Sequence, residues 1–112
     1  MIVEDDVLVR MMLADELRNT YTVIEAATAH EALTILEGGT SVNLVLTDVK
    51  MPGSIDGVTL ARTIRSEYPL IKIVIWSGAS FVTAVADAVF SKPCNIPALL
   101  IEIEKLLRPR VS

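Results

Sequence analysis

The sequence of 112 residues contains one cysteine, Cys94, and one histidine, His30. A lone thiol cannot close an internal disulfide, and one Cys with one His cannot assemble a zinc ligand set, so the chain fits a reducing compartment. No apolar run approaches the roughly 18 to 20 residues of a membrane span. The opening, Met1-Ile2-Val3-Glu4-Asp5-Asp6, is acidic where a signal peptide would be basic, and a cytoplasmic location with no membrane contact is expected. Positive charge is also short. Ten Lys and Arg stand against 14 Asp and Glu, a net charge of -4. That balance offers no broad attraction to nucleic-acid backbones or anionic lipid, and small cations are the better ligands. Arg62, Arg65, Lys105, Arg108 and Arg110 are scattered or sit at expected helix ends, so direct nucleic-acid binding is not expected. Repeats, low-complexity tracts and linkers are absent too.

What the chain does have is apolar surface: 52% of residues are hydrophobic and 21% charged, enough for one folded core at this length. A single domain over 1–112 is expected. Short β-branched runs recur at Tyr21 to Glu25, Asn43 to Thr47, Ile71 to Trp76 and Ala88 to Ser91, each followed by helical spacing. Leu8, Met11, Met12 and Leu17 are expected near one face of a first helix. Leu99, Leu100, Ile103, Leu106 and Leu107 form the stripe of the last, which ends at Pro109. Thr28 with Glu31 reads as a capping box and Gly38-Gly39 as the stop of a second helix. Asp56-Gly57 opens a third that ends before Pro69, and Ser80 caps a short fourth. Leu44-Val45-Leu46 and Ile73-Val74-Ile75-Trp76 lack polar alternation, as expected of strands covered on both faces, so the fold class is α/β with a parallel sheet. The first strand has only Met1-Ile2-Val3 ahead of the acidic run, short of the usual five or six residues. Native residues missing or replaced at this end are expected.

In an open parallel α/β sheet, ligands bind beyond the carboxyl ends of the strands. There the sequence places Glu4, Asp5 and Asp6 after strand 1, Asp48 at the end of strand 3, Ser77 at the end of strand 4, and Lys92 with Pro93 after strand 5. Carboxylates brought together repel unless a cation settles among them, and an all-oxygen set selects a hard ion such as Mg2+. A carboxylate can attack phosphorus if metal and amine neutralise the developing charge. Asp48 would be the nucleophile, Lys92 the amine, and the Ser77 hydroxyl a further hydrogen-bond donor.

These residues resemble the receiver domains of two-component response regulators, and the resemblance spans essentially the whole chain. Val3-Glu4-Asp5-Asp6 with Arg10 is similar to the family's acidic opening. Leu46-Thr47-Asp48-Val49-Lys50-Met51-Pro52 followed by Asp56-Gly57 resembles its phosphoacceptor loop. Trp76-Ser77-Gly78-Ala79 resembles its hydroxyl motif, and Ser91-Lys92-Pro93 its lysine with a cis proline. The resemblance implies a doubly wound, flavodoxin-like (βα)5 sheet of order 2-1-3-4-5. Asp48 would accept a phosphoryl group from a sensor histidine kinase or phosphotransfer protein, and Glu4, Asp5, Asp48 and the backbone carbonyl of Lys50 would hold Mg2+. Ser77 and Lys92 would contact the phosphoryl group, Pro93 would set the approach of Lys92, and Asp6 would serve a loop or helix cap. The output would be a changed surface on the fourth helix, fifth strand and fifth helix, read by a downstream target, an output domain or a second copy of the chain. Such a protein is a regulatory phosphoacceptor that assists only its own phosphorylation and dephosphorylation, not an enzyme.

Two positions depart from the family. Gly53-Ser54-Ile55 is one residue longer than usual between Met-Pro and Asp-Gly, and Val89 stands where a switch aromatic is common. Phe90 is one position out and so faces the other side of the strand. The aromatic half of the switch is therefore in question and the Ser77 half remains. The alternative is a degenerate receiver acting as a phosphorylation-independent binding module. A haloacid-dehalogenase-type phosphohydrolase is disfavoured by Lys50 where a second acid is needed. A flavodoxin-type cofactor binder is disfavoured by the acidic run where a phosphate loop would lie. His30 reads as an exposed surface residue, Cys94 as a buried or half-buried thiol rather than a reactive one, and Trp76 as strand packing placed to report on the site.

Overall fold

The computed structural model describes residues 1–50, 53, 55–77, 85–91 and 95–108, with the backbone alone of Ser77. Strands and helices alternate as β1 (Ile2–Val3), α1 (Val7–Arg18), β2 (Glu25–Ala26), α2 (Ala29–Glu37), β3 (Leu44–Asp48), α3 (Gly57–Glu67), β4 (Lys72–Ser77), β5 (Ala88–Ser91) and α4 (Ile96–Leu107). All pairings are parallel and the sheet order is β2-β1-β3-β4-β5. The helix expected from Ser80, and Pro109 at the chain's end, lie outside the described residues, so α4 is the fifth helix of the sequence reading.

The uninterrupted apolar runs are explained by two cores, one on each face of the sheet. Val3, Val45, Ile73 and Ile75 point to one side and pack with Ala29, Ala32 and Leu36 of α2 and Leu60, Ala61 and Ile64 of α3. Ile2, Leu44, Leu46, Val74 and Trp76 point to the other and pack with Leu13, Ala14 and Leu17 of α1 and Leu99 and Ile103 of α4. Alternate residues of each strand serve opposite cores, as the two-residue period requires. Each fully buried Leu or Ile contributes about 1.5–3 kcal/mol relative to exposure.

Every described helix begins on a short polar side chain. Asp6 Oδ1 accepts from the N–H groups of Leu8 and Val9, Thr28 Oγ1 from Glu31, Asp56 Oδ1 from Thr59, and Asn95 Oδ1 from Ala98. Each cap is worth about 1 kcal/mol. Glu31 reaches back to the N–H of Ala27, and Gly39 closes α2 in the left-handed region at φ 86°.

Two expectations are corrected. Leu8, Met11 and Met12 face solvent, 77%, 51% and 45% exposed, while Leu13, Ala14 and Leu17 form the buried face of α1. At 100° per residue Leu17 stands half a turn away from Leu8, so the four never share a face. The second strand is also shorter and later than the run Tyr21 to Glu25. Among the described residues it pairs only with β1, whose two residues match Glu25 and Ala26, so the partner sets its length. Among the described residues no helix is long and apolar enough to cross a membrane.

Candidate functional site

β1 and β3 are neighbours in the sheet, yet α1 after β1 packs on one face and α3 after β3 on the other. Their carboxyl ends therefore open a crevice at the point where the strand order reverses. Glu4 and Asp5 follow β1 into this crevice and Asp48 ends β3. The three carboxylates lie with oxygen atoms within 4.8 Å of one another, and Glu4 is buried, Asp48 half-buried and Asp5 exposed. A cation set among three carboxylates this close, one of them only 3% exposed, would offset their mutual repulsion. Their donors are all oxygen and one side opens to water, which fits a hard divalent ion that keeps part of its hydration.

The backbone around Asp48 is held from several directions. Its Oδ1 accepts from the N–H of Val49 at 2.6 Å and of Lys50 at 3.4 Å. The hydroxyl of Thr47, a buried polar residue, donates to the Asp48 carbonyl at 2.8 Å. The N–H of Gly57 donates to the Val49 carbonyl at 2.8 Å, and this fastens the start of α3 to the end of β3. The Asp56 cap carries a carboxyl held below its ordinary pKa, chiefly by the hydrogen bond from the Thr59 N–H. Gly53, in the longer loop, has φ 105° and lies beside His30, which is exposed as expected.

The Glu4 side of the crevice is fixed by the backbone and by one arginine. The N–H of Glu4 donates to the Ala26 carbonyl at 3.0 Å, and Arg10 Nη1 donates to the Glu4 carbonyl at 2.8 Å. Arg10 Nε also donates to Glu25 Oε1 at 3.2 Å, and Arg18 Nη2 to Glu25 Oε2 at 2.8 Å. Glu25 is thereby held below its ordinary pKa, first through the Arg18 hydrogen bond. Asp6 takes no part in the carboxylate cluster; it caps α1.

The remaining expected residues divide by placement. Asp48 stands in register with Trp76, and the next residue of β4, Ser77, is in register with Ser91 at the end of β5. Lys92, Pro93 and Cys94 lie outside the described residues. Lys50 is exposed. Val89 packs toward the α2 and α3 core while Phe90 packs toward the α1 and α4 core, so the two face opposite ways. The sequence reading did not single out Thr47, Glu25, Arg18 or Asp87. Asp87 Oδ2 accepts from Arg65 Nη2 at 2.7 Å and from the Ile73 N–H at 2.8 Å, tying α3 to the start of β4. Arg65 is thus an internal tie as well as a charge at a helix end. A separate cleft of about 330 Å³, lined by residues including Met1, Tyr21, Leu44 and Ile103, opens at the other end of the strands. It shares no residue with the carboxylate cluster.

Comparison with known proteins agrees with this fold. The model of the response regulator receiver domain family matches residues 1–104. Over 100 residues the chain is 41% identical to the sensor kinase CckA of Brucella abortus, covering 88% of this chain but only 10% of that protein. The receiver domain of the hybrid histidine kinase CckA superposes with a TM-score of 0.82 at 34% identity, covering 96% of each chain. Response regulator TrrA of Thermotoga maritima, solved in complex with Mg2+-BeF, superposes with a TM-score of 0.85 at 30% identity, covering 95% of this chain and 96% of that one.

Proposed function

The chain belongs to the response regulator receiver domain family, and on that footing we propose that Asp48 is its phosphoacceptor. The family is regulatory, its members interact with histidine kinases and downstream targets, and they bind Mg2+ at an acidic pocket. The observation that carries the reading to this chain is the convergence of Glu4, Asp5 and Asp48 within 4.8 Å at the open edge of β1 and β3.

In the proposed reaction an oxygen of Asp48 attacks the phosphorus of a phosphohistidine on a kinase or phosphotransfer protein. The O–P bond forms as the N–P bond breaks, and the imidazole leaves with the electron pair of that bond. The Val49 and Lys50 N–H groups hold Asp48 Oδ1, which fixes the carboxylate for in-line attack. Glu4, Asp5, Asp48 and the Lys50 carbonyl would hold Mg2+, which supplies positive charge against the phosphoryl oxygens. The Lys92 amine pairs with the same oxygens, and the Ser77 hydroxyl donates to them.

The phosphoryl group adds about -1.5 to -2 charge at Asp48. Ser77 moves toward it, and the surface around β5 and α4 changes for a downstream partner or a second copy. With Val89 in place of a switch aromatic, the response rests on Ser77. The protein is a cytoplasmic regulatory domain over 1–112, with no turnover beyond its own phosphorylation and dephosphorylation. An intact-mass spectrum after incubation with acetyl phosphate, with and without Mg2+, tests the reading. One Mg2+-dependent phosphoryl increment supports it. No increment, together with no response to beryllofluoride, supports the phosphorylation-independent binding module instead.

A further inference from the structure

We infer that Arg10 is a positioning residue for the metal-binding loop and that Glu25 is the counterion that keeps it in that role. The inference rests on the reading of the carboxylate cluster as a Mg2+ site. Arg10 sits one turn into α1, and its side chain runs back over the helix start, the direction in which helical side chains lean. It reaches the carbonyl of Glu4 through Nη1 and the carboxylate of Glu25 in β2 through Nε, and its side chain is only 17% exposed. With the Ala26 carbonyl accepting from the Glu4 N–H, both backbone polar groups of Glu4 are fixed. The peptide that joins Glu4 to Asp5 therefore has a set orientation, and so do the two carboxylates that leave it.

Glu25 decides what the guanidinium does. A cation this near two site carboxylates could fold onto them and compete with a metal ion. Glu25 holds Nε at 3.2 Å and is itself braced on its other oxygen by Arg18 at 2.8 Å, so the arginine charge is balanced away from the site. The rigid planar fork of arginine aims two separate nitrogens at these two acceptors, whereas a lysine presents all its donors from one nitrogen. Groups that orient metal ligands in this way change metal affinity about tenfold or more when removed, although they touch no metal.

The test is a Mg2+ titration followed by the emission of Trp76, which stands in register with Asp48, with thermal melts of each variant. Glu25→Gln is expected to weaken Mg2+ about tenfold and to lower phosphorylation by acetyl phosphate at limiting, not saturating, Mg2+. Arg10→Lys is expected to show the same loss with a near-normal melt. Glu25→Gln added to Arg10→Met is expected to bring no further loss, because the charge it would release is gone. Variants that bind Mg2+ as tightly as the parent, with or without lower melting temperatures, would overturn the inference alone. A parent chain with no Mg2+ response would overturn the reading of the site and the inference with it.

Discussion

Gly57 is packed against the carbonyl of Asp48 so closely that a Cβ on it would stand 1.9 Å from the oxygen and 2.9 Å from Val49 Cα. The atoms it would strike are backbone, which cannot turn aside as a side chain can. Glycine is required here by a close approach of two chain segments, and its N–H closes the contact by donating to Val49. Gly57→Ala is expected to cost about 3 kcal/mol through overpacking and to displace the Asp48 loop. A urea titration, together with the yield of phosphorylated protein from acetyl phosphate, checks both effects.

Asp56, the residue before it, caps α3 through the Thr59 N–H. Asp56→Ala is expected to cost about 1 kcal/mol at neutral pH. The folded carboxyl is held below its ordinary value of 3.8. Its charge-dependent contribution is therefore fully present above that value and is lost as pH falls through the lower folded one. Melts from neutral to acid pH should show the gap between parent and Asp56→Ala narrowing at the acid end. A gap that widens there would contradict the assignment.

Asp87 acts as a strand partner for the start of β4. It accepts from Ile73, a fully buried residue, and from Arg65, and its own N–H donates to the Ile73 carbonyl at 2.8 Å. Asp87→Ala would leave the Ile73 N–H short of its partner, at a cost of about 1–3 kcal/mol. Asp87→Asn should recover part of it. Hydrogen exchange at the Ile73 amide is the local readout, and it should quicken in the alanine variant.

The sequence was informative where chemistry is carried by the chain's order. Glu4, Asp5 and Asp48 could be placed at one sheet edge because strand ends in a parallel sheet all face the same way. The doubly apolar runs of β3 and β4 announced a sheet covered on both sides. It was misleading for α1, where Val7, Leu8, Met11 and Met12 are exposed although apolar. Apolar residues occupy both faces of that helix, so composition does not choose the buried one; the position of α1 over β1 and β3 does. It was silent on the Arg10, Glu25 and Arg18 chain, which joins two elements through a pairing that only the fold creates. Thr47 likewise gives no signal in a strand of apolar neighbours.

The acceptor role of Asp48 separates from any structural one. Asp48→Asn keeps the side-chain carbonyl that can accept from Val49, and it is expected to fold with a melting temperature near the parent's while taking no phosphoryl group. Lys92→Ala is expected to impair the phosphorylation response more than Mg2+ binding, since the proposed Mg2+ ligands are Glu4, Asp5, Asp48 and the Lys50 carbonyl. Parallel melts, Mg2+ titrations and phosphorylation time courses decide between these effects. An unfolded Asp48→Asn chain would mean the aspartate is structural.

The most direct measurement locates the phosphoryl group. The chain, phosphorylated by acetyl phosphate with Mg2+, is reduced with borohydride, which converts an acyl phosphate to the alcohol, and the peptides are sequenced by mass spectrometry. The account predicts homoserine at position 48 alone, dependent on Mg2+ and absent from Asp48→Asn. Unmodified aspartate at 48, or reduction at Asp5 or another acid instead, would contradict it.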